Sequence, residues 1–185
     1  MDIAKSHAVA WRYGYDHFDY SGSPPKPRGI LIGEAPGPNT DARLPLFPSP
    51  TNSAAARLLR YADVEPIDWM GKLFRVNLCQ EQWSDRRASA GMVQVLAWLL
   101  DPANHTTDGK LLRVLLLGRR VADAWHCEQD PFGYSIRYLT GGGHPNLYVA
   151  WIPHPSGRNL IYNDRKNQLR ARRAVQWVLG ERAKP

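Results

Sequence analysis

The sequence predicts an α/β fold: a three-layer α/β/α sandwich around a central, mostly parallel, four-stranded sheet. Three observations carry this. Four short apolar runs, "GILIG", "LFRVNLC", "LLRVLLLG" and "LYVAWIP", recur along the chain, each bounded by turn residues and each short enough for a buried strand. Helical stretches separate them, and strands that alternate with helices form a parallel sheet covered on both faces. The 185 residues, 43% hydrophobic and 22% charged, suit one globular domain spanning residues 1–185 with a sizeable core.

Residues 1–27 form a lead-in, aromatic-rich and then punctuated by proline in "YSGSPPKP", irregular or helical as far as Pro27. The core opens at Arg28 with the first strand, which runs into the turn "GEAPGPNT". "TNSAAARLLRYAD" reads as a helix capped by Thr51 or Asn52. After the second strand, "SDRRASAGMVQVLAWLLD" opens with Ser84 and places apolar residues at helical spacing. The third strand leads to a short helix in "GRRVADAWHC". The fourth leads to a final helix in "NDRKNQLRARRAVQWVLG", opening at Asn163. The chain holds no internal repeat and no low-complexity tract.

Lys and Arg number 24 against 17 Asp and Glu, a formal charge of +7, and the excess is mostly arginine. A planar guanidinium fork suits phosphate better than an ammonium does, so a polyanionic partner is expected. The arginines at 165, 170, 172 and 173 read first as a solvated helix face, and second as phosphate contacts. Cys79 and Cys127 make neither a disulfide framework nor a CxxC zinc pair, which fits reduced thiols in the cytoplasm. No apolar run approaches the roughly 20 residues that span a bilayer, and "MDIAKSHAVAW" lacks a signal-like apolar core. No membrane association is expected.

Two stretches carry the candidate chemistry. In "RGILIGEAPGPNT" a strand ends in a turn whose glycines let the backbone approach a ligand while Pro36 and Pro38 stiffen it. It lacks both GxxxxGK[ST] and GxGxxG, so it is either a rigid strand-to-helix turn or a ligand loop of another kind. In "WIPHPSGRNLIYND" the last strand delivers His154, fixed between two prolines, to the same edge of the sheet. Ligands of parallel sheets bind at that edge, outside the carboxyl ends of the strands.

These elements, in this order, resemble those of the uracil-DNA glycosylase superfamily. "GEAPG" is similar to the first motif of the iron-sulfur-containing thermophile branch. "VNLC" (76–79) and "HPSGRN" (154–159) are similar to the single-strand-selective monofunctional branch, and "LPLFPSPTNSAAARLL" to the mismatch-specific branch. The resemblance runs from about Arg28 to Asn159. It implies a monofunctional DNA glycosylase that flips out uracil or a C5-modified pyrimidine and hydrolyses its N-glycosidic bond, acting as a monomer on single- or double-stranded DNA.

The resemblance also implies roles. Phe47 would be the stacking face for the base; the alternative is a core or lid phenylalanine, and the prolines at 45, 48 and 50 favour an exposed platform. Asn77 would present its amide to the Watson–Crick edge, the alternative being a cap on neighbouring backbone. His154 would hydrogen-bond the pyrimidine O2 and stabilise charge on the leaving base. Gly33, Ala35 and Gly37 complete the base pocket. Ser156 and the Gly157 amide would grip a phosphate and Arg158 would enter the gap left by the base, with Asn159 and Leu160 beside it. Ile161 and Tyr162 read either as part of that wedge or as ordinary packing.

Two departures from the family pattern bear on mechanism. Ala35 stands where the fastest members carry Asp or Asn, so the acid that orients water would be Glu34 or Asp41; Thr40 occupies the family position of that second acid, and Asn39 competes with it. Gly37 stands where a tyrosine blocks the C5 side of the pocket in other members, which would admit a C5 substituent, even one of virus-modified DNA. Neither motif contains a lysine, so no Schiff-base lyase step is expected. Two cysteines cannot hold the four-cysteine cluster of the thermophile branch, and no metal or other cofactor is expected. The competing reading is a catalytically silent DNA- or base-binding protein on the same fold.

Overall fold

The computed structural model describes residues 27–37, 45–48, 50–100, 111–137 and 146–180. The predicted lead-in therefore lies outside the described residues, apart from Pro27. The strands are β1 (Gly29–Gly33), β2 (Leu73–Asn77), β3 (Leu111–Leu117), β4 (Tyr134–Arg137) and β5 (Asn146–Ile152). The helices are α1 (Ala54–Ala62), α2 (Pro66–Lys72), α3 (Asp85–Leu100), α4 (Arg119–Ala124) and α5 (Arg165–Val178), with a 3-10 turn at Leu160–Asn163.

The sheet has five strands in the order β2-β1-β3-β5-β4. The four predicted strands are β2, β1, β3 and β5, all parallel. The fifth, β4, pairs antiparallel with β5 at the edge. Its segment "YSIR" holds no apolar run, because an edge strand of four residues need not be buried on both faces and leaves a weak pattern.

Alternation along the strands separates two cores. On one face Leu31, Leu115, Leu117, Ala150 and Ile152 pack with residues of α1, α2 and α5. On the other Ile30, Ile32, Val114, Leu116 and Val149 pack with residues of α3 and α4. This is the α/β/α sandwich, and it explains why the parallel strands read as continuous apolar runs. The registers Gly33↔Asn77, Ile32↔Leu116 and Leu117↔Ile152 end these strands at one level. Beyond it the amide of Leu78 donates to the Gly33 carbonyl at 3.0 Å, and that of Gly118 to the Ile152 carbonyl at 2.9 Å.

Helix starts differ from expectation by a residue or two. The cap of α1 is Ser53, whose Oγ accepts from the Ala56 amide at 3.1 Å, and not Thr51 or Asn52. The cap of α5 is Asp164, accepting from Lys166 at 2.8 Å, because Asn163 belongs to the preceding 3-10 turn. Ser84 does cap α3, accepting from the Arg87 amide at 3.3 Å. The short helix α2 escaped the sequence pattern, although Pro66 at its first position is a start signal.

Ser53 matters to the site because its hydroxyl also donates to the Phe47 carbonyl at 3.3 Å. Ser53→Ala should cost about 1 kcal/mol in urea unfolding, the usual value of a lost N-cap, while Thr51→Ala and Asn52→Ala should each stay near zero. Equal losses at all three positions would contradict the assignment.

Candidate functional site

At the carboxyl ends of β1, β2 and β5 lies a cavity of about 280 Å³. Ligand cavities run roughly 300–1,000 Å³, so this one suits a single ring system. Four walls enclose it: Ala35, Pro36 and Gly37 after β1; Leu46, Phe47 and Pro50 before α1; Asn52 to Ala55 at the start of α1; and His154, Ser156 and Gly157 after β5. Asn77, the last residue of β2, also lines it.

Phe47 is half-buried, packed on one side against the α1-α5 core while lining the cavity, so it is neither wholly core nor wholly exposed platform. Its place is set by Leu46, whose φ of 54° lies in the left-handed region. That conformation costs about 1–2 kcal/mol for a residue with a Cβ. It is held by the Trp69 indole N–H, which donates to the Leu46 carbonyl at 3.0 Å. Nothing in the sequence around Leu46 signalled this turn.

Asn77 is 5% exposed, and its Oδ1 accepts no hydrogen bond among the described residues. An unsatisfied buried polar group costs about 1–3 kcal/mol. Among the described residues its oxygen therefore caps no neighbouring backbone. It fits only because its register partner has no side chain: a Cβ on Gly33 would stand 2.5 Å from Oδ1.

His154 is half-buried. Its loop is braced from within: Asn159 Nδ2 donates to the His154 carbonyl at 3.0 Å, Asn159 Oδ1 accepts from the Ile161 amide at 3.3 Å, and the Tyr162 hydroxyl donates to the Pro153 carbonyl. Asn159 thus uses both ends of its side-chain amide to hold the loop. Tyr162 and Ile161 pack into the core, whereas Leu160, 71% exposed, and Arg158 stand out from the surface.

Glu34 does not line the cavity. Its carboxylate lies beside Gly118, with Oε2 3.9 Å from Nη1 of the exposed Arg120. A Cβ on Gly118 would stand 2.6 Å from Glu34 Oε1 and 3.3 Å from His154 Cβ, and φ at Gly118 is +103°, so glycine is required twice over. Glu34 is thereby a neighbour of His154 behind the cavity, where the sequence led to the expectation of a group in the cavity itself. Asp41, with Asn39 and Thr40, lies outside the described residues. Gly118, Leu46, Ser53 and Arg57, which reaches over Gly157, are the site-forming residues that sequence reasoning missed.

Among the described residues no group of three or more His, Cys, Asp or Glu side chains could hold a metal ion, and no helix is long and apolar enough to cross a membrane. No protein-family model matches the chain, and no curated protein matches it either. The chemistry of the site accordingly rests on its own geometry.

Burial holds the His154 imidazole below its ordinary pKa of 6.5, and the Glu34 carboxylate offsets part of that shift. The ring is therefore neutral at pH 7, with one N–H to donate. In Glu34→Gln the offset is lost and the pKa should fall further, as read from the ring protons of His154 by NMR. A midpoint at or above 6.5 in the parent, or no change in the variant, would contradict the placement of Glu34.

Proposed function

We propose that the protein is a monofunctional DNA glycosylase of the uracil-DNA glycosylase superfamily, acting as a monomer on uracil or a C5-modified pyrimidine. The observation that carries this is the convergence of Phe47, Asn77 and His154 on one base-sized cavity, with Ser156 and Gly157 at its edge. An aromatic face, a buried amide and a neutral imidazole suit a flipped pyrimidine: stacking on Phe47, edge contacts to Asn77, and an N–H from His154 to a ring carbonyl. As the bond from C1′ to the base breaks heterolytically, the electron pair moves into the base, and negative charge grows on the carbonyl that His154 faces. Water then adds its oxygen to C1′ and gives up a proton, and the products are the protonated base and an abasic site. No lysine lines the cavity among the described residues, which supports hydrolysis over attack by an amine.

Gly37 lines the cavity with no side chain, which supports room at C5 and a substrate range reaching from uracil to hydroxymethyluracil and larger pyrimidines. The cytoplasm is the proposed compartment, where the buried thiols of Cys79 and Cys127 would stay reduced.

One observation favours a second reading. No carboxylate lines the cavity among the described residues, and Ala35 occupies the position of the water-orienting acid. A protein that captures the flipped base without cleaving it would have this lining.

The deciding experiment follows abasic-site formation, by alkaline strand cleavage, on oligonucleotides carrying uracil, hydroxymethyluracil or glycosylated hydroxymethylcytosine. The glycosylase reading expects strand breaks with at least one of them. His154→Ala and Asn77→Ala should each lower single-turnover excision by about 100-fold or more with the fold retained, the scale of a lost group at a developing charge. Tight binding without breaks on every substrate would favour the silent binder, and unchanged excision in either variant would remove that residue from the mechanism.

A further inference from the structure

Arg57, on the first turns of α1, is a half-buried cation that no carboxylate pairs with among the described residues. Its side chain is nonetheless held in place. Nε donates to the Asn52 carbonyl at 3.1 Å, and the rest of the guanidinium lies against Gly157 of the loop after β5. A methyl group on Gly157 would stand 2.5 Å from Nη2, 2.9 Å from Cζ and 3.0 Å from Nη1.

Across this contact both sides offer donors. Arg57 brings its two terminal nitrogens, Gly157 its amide and Ser156 its hydroxyl, and among the described residues none of these groups is engaged in a hydrogen bond. Donors gathered in one place with no acceptor of their own are satisfied together by an anion with several acceptor oxygens, and a guanidinium fork matches a phosphate in particular. Ser156 and Gly157 also line the base-sized cavity, so an anion bound here sits next to whatever fills that cavity.

We infer that Arg57 is the further member of the phosphate site that the resemblance assigns to Ser156 and Gly157, closing it into a clamp on the phosphodiester of the nucleotide whose base occupies the cavity. The inference rests on the glycosylase reading for its ligand, DNA. It adds that the strand is gripped between α1 and the loop after β5, and that Gly157 must be glycine because the guanidinium occupies the space of a side chain. Substitution of Gly157 by alanine therefore acts by displacing Arg57, the flexible tip giving way before the loop does.

The test uses fluorescence anisotropy with a single-stranded oligonucleotide carrying one tetrahydrofuran abasic analogue, titrated at several KCl concentrations. Removing one phosphate contact lowers the slope of log affinity against log salt by about 0.7 on a single strand. Arg57→Ala should show that loss together with a several-fold weaker affinity at low salt, and Gly157→Ala should show the same. The double variant should be no worse than Arg57→Ala alone. Lys72→Ala, which removes a charge at the opposite end of β2, should keep the parental slope. A methylphosphonate at the phosphate beside the abasic analogue should weaken the parent and leave Arg57→Ala unaffected.

A parental slope in Arg57→Ala, or additive losses in the double variant, would overturn the clamp. If the parent still makes abasic sites in that case, the glycosylase reading survives without it. If the parent binds no oligonucleotide at all, both fall.

Discussion

The lateral hydrogen bonding that holds β1 between β2 and β3 also fixes where the chain leaves the sheet. Because the register pairs Gly33 with Asn77 and Leu117 with Ile152, the segments that follow these strands emerge side by side. In a parallel sheet all such exits face the same way. The turn after β1, the amide that ends β2, Gly118 after β3 and the histidine loop after β5 are thereby gathered from distant parts of the sequence without any contact designed for the purpose. The two apolar cores hold the inner strands in place, since alternate residues of each strand pack against different helices on the two faces.

The site is assembled at a cost to stability. A buried amide oxygen without a partner, a leucine with φ of 54° and an unpaired half-buried guanidinium each lower stability, by amounts on the order of 1–3 kcal/mol for the first two. The first two line the same cavity, and the third lies against Gly157 at its edge. Groups left unsatisfied together in one place are what a preorganised binding site looks like before its ligand arrives, because each gains more from the ligand than from water or neighbouring backbone. The two glycines at strand ends serve the same arrangement: Gly33 gives Asn77 its room, and Gly118 lets Glu34 and His154 approach each other.

The four parallel strands were legible because burial on both faces leaves uninterrupted Val, Ile and Leu runs, and the helices between them because their faces repeat at helical spacing. His154 was legible from the prolines around it, and Asn77 from being a lone amide in an apolar strand. What stayed hidden depends on three-dimensional neighbours. β4 is too short and too near the edge to leave a pattern. The direction of the Glu34 side chain follows from which side of the sheet end it leaves, which a turn rich in glycine and proline does not encode. Arg57 sits in an ordinary amphipathic helix, and only the packing of α1 against the loop after β5 gives it a role. The true cap of α1, Ser53, directly follows the two expected candidates, Thr51 and Asn52, and local sequence ranks the three about equally.

The central claim is that the cavity holds a pyrimidine between Phe47 and the polar groups of Asn77 and His154. It can be tested without knowing the substrate, by following the side-chain amide signals of Asn77 and the ring signals of His154 by NMR while free uracil, hydroxymethyluracil and cytosine are added. Binding in the cavity predicts saturable shifts of both residues with at least one base, and loss of the His154 shifts in Asn77→Ala. Signals of Asn77 and His154 that stay unmoved by all three bases at millimolar concentration would contradict it.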